Sequence, residues 1–251
     1  MTKKIQDSPV TYSIIFTILI TVCWVVITQL ARNLANELVV FAIVFAMLVG
    51  FTILGAYLIG KINKTNGLKF TFRTAGFTKG VVALLPAIAF LTLNVVLNAN
   101  AFNISLNIFI EAAAAIMGIM LFRGLLVTAL FVKRSSTEGE RIKTIFKAAG
   151  LYFIIYIPLN MLGADGIGPM QLVNTFIMSA GFCAAYMYSK NLLSLTIVMA
   201  VWQIFGVVFS YGGGNEIEPT PLLVVGLFAM LITTAIFAVW FSKRAQPFVV
   251  D

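Results

Sequence analysis

A chain of 251 residues that is 61% hydrophobic and only 10% charged, with a mean hydropathy of +1.02, cannot cover a water-facing surface. A soluble domain carries about 25% charged residues, so the composition excludes an ordinary globular enzyme and makes lipid the solvent for most side chains. The net charge of +8 does not indicate nucleic acid, because the cations are spread over short loops between apolar runs and form no basic domain.

In chain order, apolar stretches long enough to cross about 30 Å of hydrocarbon at about 1.5 Å per residue occur at 10–31, 38–60, 80–98, 105–132, 145–162, 170–188, 192–210 and 222–241. Inside lipid every backbone donor and acceptor must be satisfied within the segment, so each is expected to be a helix. The first stretch is too long for a cleavable leader and lacks a small-residue cleavage site, so none is expected. The expectation is an all-α membrane protein of about eight transmembrane helices in one polytopic domain over 1–251.

Charge tests that count. Lys3 and Lys4, the five cations from Lys61 to Lys79, the five from Lys133 to Lys147, Lys190, Lys243 and Arg244 all fall on one side of an eight-span arrangement. The other side holds Arg32 as its one basic residue, with Glu37, Asp165, Glu216 and Glu218. Cytoplasmic loops collect Lys and Arg, so both termini are expected in the cytoplasm, and one helix more or fewer would destroy the asymmetry.

Two segments lie outside the expected membrane core. Residues 68–79 alternate basic and aromatic side chains and are expected at the cytoplasmic interface. Residues 135–147 are charged and helix-compatible, with Ser136 or Thr137 as a cap, and lead into the fifth span. The stretches 163–169 and 211–221 are turn-rich loops.

Charge within a span costs several kcal/mol and marks a bundle interior or a site. Glu111 and Arg123 are the two clear cases, both in the fourth span. Twelve residues apart, they are separated by roughly 18 Å and about 120° on a straight helix, which excludes a direct pair. Each also has a structural reading: Glu111 near the outer interface, Arg123 bonding carbonyls of a neighbouring helix. Asn160, Asn174 and Gln203 are further candidate binding residues, although in-span amides commonly serve as packing contacts worth about 1 kcal/mol each.

The chain has no histidine. That removes an HExxH zinc site, a histidine-based triad and a histidine proton relay. Cys23 and Cys183 both sit in apolar runs and read as small hydrophobes. No metal site and no cofactor is expected.

Residues 118–126, GIMLFRGLL, resemble the core motif of the CAAX-protease and bacteriocin-self-immunity (CPBP, or Abi) family, EExxFRGLL after a small-apolar lead-in. A second stretch, 181–195, resembles the family's glycine-containing helix ending in Tyr, followed by a short basic turn and a Ser-Leu opening the next helix. Arg73–Phe77 is a third, weaker match, and the resemblance covers roughly 55–210. It implies a CPBP-like bundle and an ancestral intramembrane peptidase site. The same alignment puts Gly118 and Ile119 where the family has its glutamate pair. The first family histidine would fall near 157–160, ending at Asn160, and the second, with its asparagine, on Val201 or Trp202 with Phe205 or Gly206. Only the motif's arginine, Arg123, survives. Glu111 lies two helical turns from Gly118, roughly 10 Å along the axis, too far to hold the same water.

The expected function is therefore a catalytically inactive CPBP-type protein of the bacterial plasma membrane. It would contact membrane lipids and another membrane or secreted protein or peptide, as a scaffold or regulator, with no nucleic-acid partner. Alternatives are bacteriocin self-immunity, a peptidase using atypical residues such as Glu111, and a small-solute transporter.

Overall fold

The structure, a computed structural model, describes residues 8–32, 36–65, 75–97, 107–118, 126–127, 130, 137–161, 169–210 and 221–245. All regular elements among them are helical: α1 Pro9–Arg32, α2 Glu37–Thr65, α3 Phe77–Ala83, α4 Leu85–Leu97, α5 Asn107–Gly118, α6 Glu138–Met161, α7 Pro169–Ser189, α8 Leu192–Ser210 and α9 Pro221–Arg244. Each of the eight expected segments contains helix. Of the fourth, Asn107–Gly118 is described as α5.

Local chemistry sets many of the starts. α1, α7 and α9 open on proline, whose fixed φ suits a first turn and whose missing N–H would have had no partner there. Asn36 caps α2, its Oδ1 accepting from the N–H of Leu38 at 3.0 Å and of Val39 at 3.3 Å. Of the two caps expected for α6, Thr137 does the work and Ser136 lies outside the described residues. The Glu140 N–H donates to Thr137 Oγ1 at 3.3 Å while the Thr137 N–H donates to Glu140 Oε2 at 3.4 Å, a reciprocal capping box. The charged segment and the fifth span are thus one continuous helix.

The third span departs from expectation. Instead of one straight crossing over 80–98, α3 and α4 meet at Leu84 with a bend of 67°. Pro86 explains it: without an N–H it cannot bond the carbonyl of Val82, and its ring crowds that carbonyl. The chain answers with a tight turn in which the Leu84 N–H donates to Val81 O at 3.0 Å. The pair is either a broken span or a re-entrant element. By length and composition, the 38–57 part of α2 and the whole of α9 can each cross a membrane unaided, and the bent pair makes a third.

Packing places α7 at the centre, in contact with α3, α6, α8 and α9, while α1 packs on α2, α2 on α5 and α5 on α8. Residues 178–187 of α7 are buried on every side, as expected of a helix apolar all round. The outside is equally telling. Ile53 is 65% exposed and Val96 69%, while Ser13, Thr17 and Ser194 are 0% exposed. That partition suits a hydrocarbon solvent, and the chain is a helical membrane protein.

Candidate functional site

The two outlying elements of the family resemblance, far apart in sequence, dock on each other. α7 ends by passing through Lys190, a non-glycine residue at φ 53, whose N–H still donates to Tyr186 O at 2.8 Å. Asn191 then caps α8, its Oδ1 accepting from the Ser194 N–H at 2.9 Å. Its Nδ2 donates to the carbonyl of Ala75 at 3.0 Å, and its own N–H to Ser189 Oγ at 3.2 Å. Asn191 is 0% exposed; its bonds with Ser189 and Ser194 are buried, and the one to Ala75 is part-buried.

Glycine permits that approach. Gly76 sits at φ 80, and a Cβ there would collide with the carbonyl oxygen of Ser189. A Cβ on Gly80 would run into the Ser194 hydroxyl, with Ser194 Cβ at 2.9 Å. The start of α3 is therefore clamped against the α7–α8 turn. Sequence reading found this stretch only as a motif; the signal it passed over was an Asn immediately before an apolar run, facing two small residues elsewhere.

Of the third element of the resemblance, Gly118 and Leu126 are described, and Gly118 ends α5, which packs on α8. α5 buries Ala113 and Met117, so its small residues let the helices approach closely. Gly118, half-buried at its end, is different from the glycines above: a Cβ there would meet nothing within 4 Å. The position that holds a glutamate in the family thus faces open space. On α8, Val201 is 37% exposed, and Trp202 is half-buried with its ring 5.9 Å from that of Phe90 on α4. Aliphatic and indole groups here pack but cannot carry a proton.

Ile119 and Arg123 lie outside the described residues. Glu111 is on α5, Asn160 on α6, and Gln203 and Phe205 on α8; their side chains also lie outside the described set. Asn174 on α7 is described: it is half-buried, and its Oδ1 is shielded from solvent without a hydrogen-bond partner. So is Thr196 Oγ1 on α8, a residue the sequence did not single out. Thr17, Thr21, Thr52 and Thr144 all bond the carbonyl four residues back, whereas Thr196 is turned off that default. Such groups can hydrogen-bond a guest. They cannot activate water.

The arrangement defines a class first: a helical bundle of membrane type in which α5 packs on α8. A family model described as type II CAAX prenyl endopeptidase Rce1-like matches residues 100–205, which run from just before α5 through the capped α7–α8 turn into α8. Those residues are similar to the CPBP family that the motifs resemble. No curated protein and no solved structure matches the chain.

Proposed function

We propose that this chain is a catalytically inactive CPBP-family protein that serves as a protein- or peptide-binding scaffold or regulator in the bacterial plasma membrane. In this reading it crosses the membrane eight times with both ends in the cytoplasm. The observation that carries the reading is the lack of any histidine in the 251 residues, together with glycine and isoleucine at the glutamate-pair positions 118 and 119. Peptide hydrolysis by this family's chemistry needs a base to activate water and donors to hold the oxyanion. Gly118, Val201 and Trp202 supply neither.

The open space at Gly118 and the unpartnered polar atoms at Asn174 and Thr196 support binding instead. A guest segment entering beside Gly118 would meet the small residues of α5, while Asn174 on α7 and Thr196 on α8 offer hydrogen bonds along their own helices. Arg123, Glu111 and Gln203 are the charged and amide residues proposed to serve that binding.

Two measurements test this. Purified protein in proteoliposomes, given a prenylated CAAX peptide, should leave it intact. Affinity capture in mild detergent should retain a co-purifying protein or peptide that Arg123→Leu loses. Cleavage of the peptide that disappears in Glu111→Gln would replace this reading with that of an atypical peptidase.

A further inference from the structure

One end of the bundle gathers helix termini that are distant in sequence. Arg141, near the start of α6, donates from Nη1 to the carbonyl of Lys243 at 3.2 Å and to the carbonyl of Ala245, closing the end of α9. Tyr188, at the end of α7, packs its ring 4.6 Å from Phe241 on α9, and Lys79 of α3 lies 5.9 Å from the centre of the Tyr188 ring. Lys79, Lys243 and Arg244 thus share this end of the bundle, and all three are exposed. The described carboxylates at this end are Glu138 and Glu140, the latter engaged in the capping box.

Helix dipoles do not cancel that charge. α7 and α9 end here, each contributing about −0.5 of a charge, but α3, α6 and α8 begin here with about +0.5 each. Arg141 further covers the carbonyls that would make the end of α9 repel an anion.

The exposed face of α9 has a layered order. Ile232, Ile236, Trp240 and Lys243 follow at spacings of four, four and three, so they lie on one stripe. Ile232 and Ile236 are each 60% exposed and Trp240 43%. Arg244 folds back over the Trp240 ring, its guanidinium carbon 3.7 Å from the centroid, which holds a cation directly above the aromatic layer. Aliphatic, then indole, then cation is the profile of a phospholipid read from chain to headgroup.

We propose that this rim is a discrete site for an anionic phospholipid, its phosphate held by Lys243 and Arg244, and its acyl chain lying on Ile236 and Ile232. The site is independent of whether the α5–α8 seam binds a partner. It differs from a general attraction of basic loops to the membrane because it needs these residues at this place rather than the total charge.

The test uses the full chain in nanodiscs of pure phosphatidylcholine or of phosphatidylcholine with phosphatidylglycerol. Native mass spectrometry of protein released from the mixed discs should show phosphatidylglycerol retained preferentially. Thermal unfolding should shift upward in the mixed discs. Lys243→Ala with Arg244→Ala should lower retention by about tenfold or more, since each cation near an anionic surface is worth roughly a fivefold change. Lys61→Ala with Lys64→Ala removes equal charge from the end of α2, which packs on α1 and α5, and should leave retention unchanged. If the double alanine variant fails to fold, Lys243→Gln alone should still lower retention several-fold.

Equal loss from both double variants overturns the proposal, as diffuse charge would then suffice. Equal retention of the two lipids overturns it as well. Stabilisation by soluble glycerol phosphate to the same extent as by the lipid would remove the acyl half of the site and the proposal with it.

Discussion

The clamp at the start of α3 and the seam beside Gly118 both carry glycines from the family resemblance, yet they treat them oppositely. At the clamp, Gly76 and Gly80 are pressed against Ser189 and Ser194, and the buried Asn191 bonds both sides. At the seam, Gly118 faces nothing within 4 Å. The first is a place where the fold itself demands the residue. The second is the position where the family motif has a glutamate, and a side chain there would displace no neighbour.

The strongest way to break this contrast is to put a side chain into the clamp. Gly80→Val should destabilise the protein by about 2–4 kcal/mol, because the displaced atoms belong to a fully buried Ser194 rather than to a flexible chain end. Gly76→Ala should cost about 1–3 kcal/mol, since it combines a left-handed φ with a backbone obstruction. Both are read as the midpoint of thermal unfolding in detergent. Unchanged midpoints would show that the α3 start does not lean on the α7–α8 turn.

Asn191→Ala comes next. It removes a helix cap and leaves the Ala75 carbonyl without its donor, for an expected loss of about 1–3 kcal/mol. Asn191→Asp separates the two roles, because the carboxylate can still cap Ser194 but cannot donate to Ala75. An aspartate variant as stable as wild type would reduce Asn191 to a cap. Thr137→Ala, which breaks the exposed capping box of α6, should cost about 1 kcal/mol, with hydrogen exchange rising first in the opening turn of that helix.

Much of this architecture was legible because lipid enforces simple rules. Apolar length and backbone satisfaction foretold a helix in every expected segment, and the Ser136–Thr137 pair ahead of a charged, helix-compatible run foretold one of the caps. Pro86 carried the information needed to foresee the bend at Leu84, but hydropathy averages over it and a proline inside a membrane helix does not always break it. The family was legible through short motifs spaced along the chain, which the match over 100–205 bears out. The clamp was not, because Gly76, Gly80, Asn191 and Ser194 each look ordinary alone; their meaning lies in a contact between segments more than a hundred residues apart. Thr196 was hidden for a related reason, since a threonine in a membrane helix normally bonds its own backbone and only geometry reveals that this one does not.

The smallest expected effect sharpens the comparison most, since it differs in sign. Gly118→Ala places a methyl group in open space at the end of α5, where no neighbour must move. Glycine in a helix is about 0.5–1 kcal/mol less favourable than alanine, through the freedom it loses on folding. The substitution should therefore leave stability unchanged or raise it by up to about that amount, while the same change at Gly80 lowers it. If Gly118→Ala were instead as damaging as Gly80→Ala, the seam would be a packed framework contact like the clamp. The space there could then not receive a guest segment, and the binding role proposed for it would fall with it. If the variant is stable but loses its captured partner, the glycine is kept for access rather than for folding.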